Sequence, residues 1–409
     1  MFYDPARETS SGSRLRAGFH GTTTAAVVKR LQAAGCVSLG ELHMMEFALG
    51  PTGHNPFYGA CRNPWNTDYI AGGASSGAGA AVAARLVYGA LGYDTGGSIR
   101  GPAAVNGVLG LKRTYGRVPR SGAMPLSCSC DHVGPRARTA ADLAGLLTVI
   151  AGHDEGDPAA SRRPVPDYEG GLAHGVRGLR IGIPRNLFFD GVDGEVQRSL
   201  DAALAVLLEA GARLVEVGVP AAEYLTELGR ALVYPEAAAA HAHRLRTRAA
   251  EYSPQVRARI ATGIATGIAI PAPVYLQAQQ LRPLLLRQFV AAIYSRCDVL
   301  ATPTLAVPVP TLAATDVGGG AQMWSLIATL VRCTAPFKYL GVPALSVATG
   351  PTANGLPTGL QLVGRPFSET LLLRVGGLPA GQPLARAPAR RALTREGRGQ
   401  SGTVSTPSA

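Results

Sequence analysis

Apolar positions recur at helical spacing in some stretches of the chain and at strand spacing in others. Val27, Val28 and Leu31 share one side of an amphipathic helix predicted over 22–34, closed by Gly35 at its C-terminal cap. Cys36 to Leu39 reads as a short strand after it. A run of small residues predicts a buried helix over 77–86, and Val87 to Tyr93 has the length and apolarity of a strand inside a sheet. Thr139 is placed to cap a helix over 140–151 that carries Leu143, Leu146, Leu147 and Ile150. Arg180 to Ile183 is a strand stopped by Pro184, 196–210 is an amphipathic helix, and Leu214 to Val219 alternates as a strand does. Residues 221–295 are mostly helical by pattern, and 299–301 and 343–348 are late strands. The strand–helix–strand alternation predicts an α/β fold with a largely parallel, helix-covered sheet.

Composition narrows this. With 46% hydrophobic and 16% charged residues, the 409-residue chain has the balance of a globular protein with a large core. The formal charge of +12 comes almost entirely from arginine, and Arg386, Arg390, Arg391, Arg395 and Arg398 crowd the last stretch. No aromatic-interleaved basic face accompanies it, so the expectation is no nucleic-acid partner. Residues 377–409 are rich in Gly, Pro, Ala, Arg and Ser without an apolar period, and read as a disordered tail. The six scattered cysteines suit reduced thiols and a cytoplasmic setting. Cys128 and Cys130 are the only close pair and find no second pair to complete a metal site, so neither metal nor cofactor is expected. Met1 to Pro5 does not open a secretion signal, and the apolar run from Val299 to Leu312 is broken by prolines, so no membrane association is expected.

The chemistry concentrates in 72–102. A first glycine/serine turn, Gly72-Gly73-Ala74-Ser75-Ser76-Gly77, leads into the small-residue helix. The following strand delivers Asp94-Thr95-Gly96-Gly97-Ser98-Ile99-Arg100. A serine just after two glycines sits where unhindered N–H groups can converge beside its hydroxyl, as acyl transfer requires. Gly-Gly-Ser in isolation is a turn and nothing more. Here the whole run resembles the amidase signature family, whose pattern is a Gly-Gly-Ser-Ser turn, a small-residue helix and Asp-Thr-Gly-Gly-Ser-Ile-Arg. The resemblance continues through Gly110-Leu111-Lys112, Asp131-His132-Val133-Gly134-Pro135, Glu46-Phe47-Ala48, Arg62-Asn63-Pro64-Trp65, Asp298 to Thr304 and Gly359 to Pro366, spanning about 10–375.

That resemblance implies a mixed central sheet covered by helices on both faces, in one domain over 1–376 with a variable helical substrate region at 221–295. It also implies amide hydrolysis by a Ser–cis-Ser–Lys triad. Carried over by position, Ser98 is the nucleophile, and the N–H groups of Thr95, Gly96, Gly97 and Ser98 form the oxyanion hole. The shuttle serine falls on Ala74, which cannot pass a proton; Ser75 stands in only if the turn shifts register. The family's base lysine belongs to a Lys-Asp motif several dozen residues before Leu39, earlier than this sequence starts. The chain has three lysines, Lys29, Lys112 and Lys338. Lys112 belongs to the Gly-Leu-Lys element, which does not supply the base, and Lys29 reads as a solvated helix position. With the nucleophile present and the relay displaced, the expectation is weak or no catalysis.

Three functions follow. The leading one is hydrolysis of a carboxamide or small aryl or alkyl amide through a Ser98 acyl-enzyme. Its only partner is the small-molecule substrate, and a homodimer is compatible with it. The second is the glutaminase, or A subunit, of a tRNA-dependent amidotransferase, ranked lower because Pro51 to Pro56 and Met124 to Ser127 look more like stand-alone amidases. The third is an inactive relic or binding protein. A Ser-His-Asp hydrolase through Asp131 and His132 is set aside because adjacent residues point to different sides. Phosphate binding at Gly77-x-Gly79 is set aside because the third glycine is missing.

Overall fold

A computed structural model describes residues 1–265 and 270–378. Helix α1 (Ala26–Ala33) buries Val27 and ends before Gly35, whose φ of +80° is the left-handed conformation that a helix-ending glycine supplies. The strand expected at Cys36 to Leu39 does not form: the segment is irregular, with Val37 83% and Leu39 74% exposed, and no neighbouring strand takes its hydrogen bonds. The signature region gives α2 (Ser76–Ala83), β1 (Gly89–Asp94), α3 (Arg100–Asn106), β2 (Leu109–Lys112) and β3 (His132–Ala137). Helix α4 (Ala140–Ile150) starts where Thr139 Oγ1 accepts from the Asp142 N–H at 3.0 Å.

Strand β4 (Arg180–Pro184), α5 (Gly194–Glu209) and β5 (Arg213–Val217) form one crossover unit. The helical region that follows contains α6 (Ala222–Arg248), α7 (Pro254–Ala265) and α8 (Ala272–Tyr294). The chain then runs through β6 (Val299–Pro303), α9 (Leu312–Thr315), α10 (Ala321–Val331), α11 (Ala335–Leu340), β7 (Ala344–Pro351), β8 (Pro357–Val363) and α12 (Glu369–Gly376). The tail expected to be disordered lies, from residue 379 on, outside the described residues.

The eight strands form one mixed sheet in the order β1-β3-β2-β7-β8-β6-β4-β5. Only β6–β4 and β4–β5 pair in parallel; every other pair is antiparallel. The expectation of a largely parallel sheet is thus corrected. It generalised from the single crossover around α5, whereas β7 and β8 are joined by a short turn that forces an antiparallel pair.

Both faces are buried. Along β6, Val299 and Ala301 join a core with Leu143 and Leu147 of α4 and Leu200 of α5, while Leu300 between them joins a second core with Leu232 of α6, Phe289 of α8 and Phe337 of α11. Strand alternation alone sends neighbours to opposite faces. Among the described residues no helix is long and apolar enough to cross a membrane.

Candidate active site

The turn after β1 is held from below by two buried carboxylates. Asp94 accepts the Gly97 N–H at 2.8 Å through Oδ1 and the Ile99 N–H at 3.1 Å through Oδ2, and its carboxylate takes Arg100 Nε and Nη2, each at 3.0 Å. Burial alone would raise its pKa, but the Arg100 charge and hydrogen bonds outweigh it and hold the group at about 2. Asp131 accepts from Thr95 Oγ1 at 2.6 Å and Tyr93 Oη at 2.8 Å, and from the N–H groups of Leu126 and Ser127 at 2.9 and 2.8 Å. Burial raises its pKa to about 6 against these bonds.

Further elements close on the turn from the sides. Arg100 Nη1 donates to Thr334 O at 2.9 Å and to Gln361 Oε1 at 2.7 Å, tying the start of α3 to α11 and β8. Arg136 of β3 donates through Nε to Ile99 O at 3.0 Å and through Nη2 to Ser98 O. Thr334, just before α11, donates to Gly96 O at 2.7 Å, and a Cβ on Gly97 would collide with its hydroxyl. With φ of +140°, Gly97 occupies a conformation that a side chain would also strain.

Ser98 is half-buried and opens with Thr95, Gly96 and Gly97 into one pocket. The N–H groups of Thr95, Gly96 and Ser98 make no hydrogen bond among the described residues. The Gly97 N–H, expected as one of four donors, is instead committed to Asp94, so its part is to shape the turn.

The shuttle position is equally specific. Ala74 is fully buried, and the Gly73–Ala74 peptide is cis. Ser75 accepts the Tyr93 N–H at 3.1 Å and donates to Tyr93 O at 3.3 Å. These bonds fasten the first turn to β1, and Ser75 is not among the residues lining the Ser98 pocket. Asp131 and His132 do not form a dyad. Asp131 is saturated as above, while His132 Nδ1 meets Cys130 O at 2.7 Å and its Nε2 lies 3.5 Å from Lys112 Nζ.

The pocket is also lined by residues that the sequence pattern did not single out. Arg230 of α6, Arg259 of α7 and Lys338 of α11 line the same pocket as Ser98. Arg259 is 8% and Lys338 6% exposed. A signal for Lys338 does exist in the chain: it is one charged residue inside the apolar run Ala335-Pro336-Phe337-Lys338-Tyr339-Leu340. Arg259 and Arg230 sit in a helical region rich in arginine, where nothing marks them out.

The site is thus a half-buried serine on a glycine turn, opening into a pocket of an α/β fold. The Amidase family profile matches residues 6–373, and the chain belongs to that family. It is 42% identical over 390 residues to the A subunit of the glutamyl-tRNA(Gln) amidotransferase of Chloroflexus aggregans, covering 90% of this chain and 78% of the relative. Among solved structures, the A subunit of the Thermotoga maritima enzyme of the same name aligns with a TM-score of 0.80 at 30% identity, over 92% of this chain and 80% of that one. A protein described from a vestigial complex that reveals the origins of an s-triazine catabolic enzyme aligns with a TM-score of 0.86 at 33% identity, over 95% of this chain and 83% of that one. These relatives overturn the expectation of a small-molecule substrate as the only partner and no link to nucleic acid. The curated ones are named as subunits, of an enzyme named for a tRNA. Partner surfaces are spread over a fold and leave no local motif of the kind that marks Ser98.

Proposed function

We propose that the chain is the amide-hydrolysing A-type subunit of an amidotransferase, freeing ammonia from the carboxamide of glutamine or of an amide shaped like it. Its relatives' names favour this reading over a stand-alone amidase. The observation that carries it is Ser98 opening into a pocket beside the unpartnered N–H groups of Gly96 and Ser98.

Ser98 Oγ bonds to the amide carbon, and the carbonyl oxygen becomes an oxyanion facing those N–H groups. One such donor is worth about 3–4 kcal/mol of barrier. As the tetrahedral adduct collapses, the C–N bond breaks and the serine proton leaves with nitrogen as ammonia. Water then cleaves the acyl ester and restores Ser98. Asp94, Arg100 and Arg136 do not touch substrate in this scheme; they hold the turn so that the donors need no rearrangement.

The test is acyl-enzyme trapping. Incubation with a fluorophosphonate or reactive aryl ester should give a single adduct mapping to Ser98, absent in Ser98→Ala. Ammonia release from glutamine should rise when partner subunits of a tRNA-dependent amidotransferase are added. A folded chain that takes no label and gains nothing from partners would reject the proposal.

A further inference from the structure

Among the described residues, three cationic side chains line one pocket with no acidic side chain beside them. Arg259 has Nε and Nη1 buried with no hydrogen-bond partner among the described residues, although the residue is more than nine-tenths buried. Buried guanidinium donors left empty are costly, and such groups are normally paired. Lys338 Nζ has no hydrogen-bond partner among the described residues, and its stem is seated against α6. A Cβ on Gly229 would come 2.6 Å from Lys338 Cε and 3.4 Å from Nζ, so a side chain there would push the end of the lysine aside. Arg230 follows Gly229 on the same helix and, among the described residues, pairs only with Glu227, at 2.9 Å on a largely exposed carboxylate, which neutralises little.

The nearby acids are spent elsewhere. Asp94 is bound to Arg100 and the turn, Asp131 to Tyr93, Thr95 and two N–H groups, and Glu236 to Ser127, Ser129 and Tyr275. Among the described residues no Asp or Glu lines the pocket, and residues 262–269 contain none.

From this one-signed wall we infer that the site selects an amide bearing a carboxylate and carrying no ammonium group. The inference rests on the reading that Ser98 acts on an amide in this pocket; within the glutamine-shaped amides of that reading it narrows the favoured substrate to those whose α-nitrogen is absent or acylated, with glutamine itself a poorer ligand. A carboxylate entering between Arg259, Lys338 and Arg230 supplies the acceptors that those donors lack. An ammonium beside it finds no carboxylate and faces three like charges, an arrangement that selects against a ligand as strongly as complementary charge selects for one. A free α-amino acid amide such as glutamine therefore fits this wall worse than the same molecule with its α-nitrogen removed or acylated.

The experiment compares three ligands of nearly equal size on the Ser98→Ala chain, where binding is read without turnover. They are glutaramate (the anion without ammonium), glutamine (the zwitterion) and pentanamide (the neutral amide), each titrated calorimetrically. Glutaramate should bind about tenfold or more tightly than either of the others, and Arg259→Met or Lys338→Met should erase most of that advantage. Discrimination by the Ser98→Ala chain carries the result even where a wall variant fails to fold. Glutamine or pentanamide binding as tightly as glutaramate, or no binding of glutaramate at all, overturns the inference. Acyl-enzyme trapping on the unsubstituted chain reports separately: selective glutaramate binding without any Ser98 adduct would reject the hydrolase reading and leave the ligand class standing.

Discussion

The carboxylate of Asp94 and the guanidinium of Arg100 form a fully buried pair, joined at 3.0 Å across the turn that carries Ser98. Both partners also hold backbone: Asp94 takes two N–H groups of the turn, and Arg100 reaches Thr334 O. The pair thus fixes a loop and joins it to α11 in one network. Removing one charge leaves the other buried and unpaired, which costs about 3–5 kcal/mol. Asp94→Asn should therefore lower the unfolding free energy, measured in urea, by an amount in that range and abolish Ser98 labelling.

The same pair predicts an acid limb. Asp94 is held at about 2, below its ordinary 3.8, so the folded state binds fewer protons than the unfolded one in between. Its contribution to stability is complete above pH 3.8 and disappears as pH falls through about 2. Acid unfolding of the chain should show this limb, and the Asp94→Asn variant should lack it.

Gly97 has two independent reasons to be glycine, a φ of +140° and the Thr334 hydroxyl where a side chain would go. Gly97→Ala should displace the neighbouring Gly96 and Ser98 N–H groups. Loss of one aligned donor costs on the order of 10²–10³ in rate. The second-order rate of Ser98 acylation should fall by at least that much, with circular dichroism unchanged. An unaltered rate would mean that the turn does not form the oxyanion site.

Ser75 and Ser98 should separate cleanly in the same assay. Ser75 spends both its donor and its acceptor on the Tyr93 backbone, so Ser75→Ala removes a fastening of the first turn. A loss of about 1–3 kcal/mol in unfolding free energy is expected, with acylation changed by only a few-fold. Ser98→Ala should do the reverse, removing acylation and leaving stability within about 0.5 kcal/mol. A Ser75→Ala variant as dead as Ser98→Ala would return Ser75 to the proton relay.

What the sequence disclosed and what it hid divide along a physical line. The glycine turn that carries Ser98 was legible because it is built from consecutive residues. Helices α4 and α5 were legible because their apolar period is local. The partnering of β2, β3 and β8 with their neighbours was not, since pairing is decided by contacts far apart in the chain; β2 meets β7 more than 200 residues on, at Gly110 and Ser346. Cys36 to Leu39 looked like a strand because its residues suit one, yet among the described residues it pairs with no strand. The cationic wall was invisible for the same reason as the pairing. Arg230, Arg259 and Lys338 come from three helices and acquire meaning only when the pocket brings them to one surface.

Lys338 makes that wall pH-dependent in two opposite senses. Burial, with Arg230 and Arg259 beside it, lowers its pKa from 10.5 to about 8, while Cys130 and Asp94 pull the other way. The charged form is the one that attracts an anion. Glutaramate affinity should thus be steady near pH 7 and decline as pH rises through about 8, and Lys338→Met should remove the decline. Stability runs the other way: between about 8 and 10.5 the unfolded chain holds a proton that the folded chain has released, so this residue's contribution grows more favourable as pH rises. Tyr168 and Cys333, whose pKa values burial raises, oppose that trend in the alkaline range, so the total curve hides it. The measurement is therefore the difference in unfolding free energy between the unsubstituted chain and Lys338→Met from about pH 7 to 10. It should shift in favour of the unsubstituted chain as pH rises, and a flat difference would mean that Lys338 keeps its proton and an anion-binding role at every pH in the range.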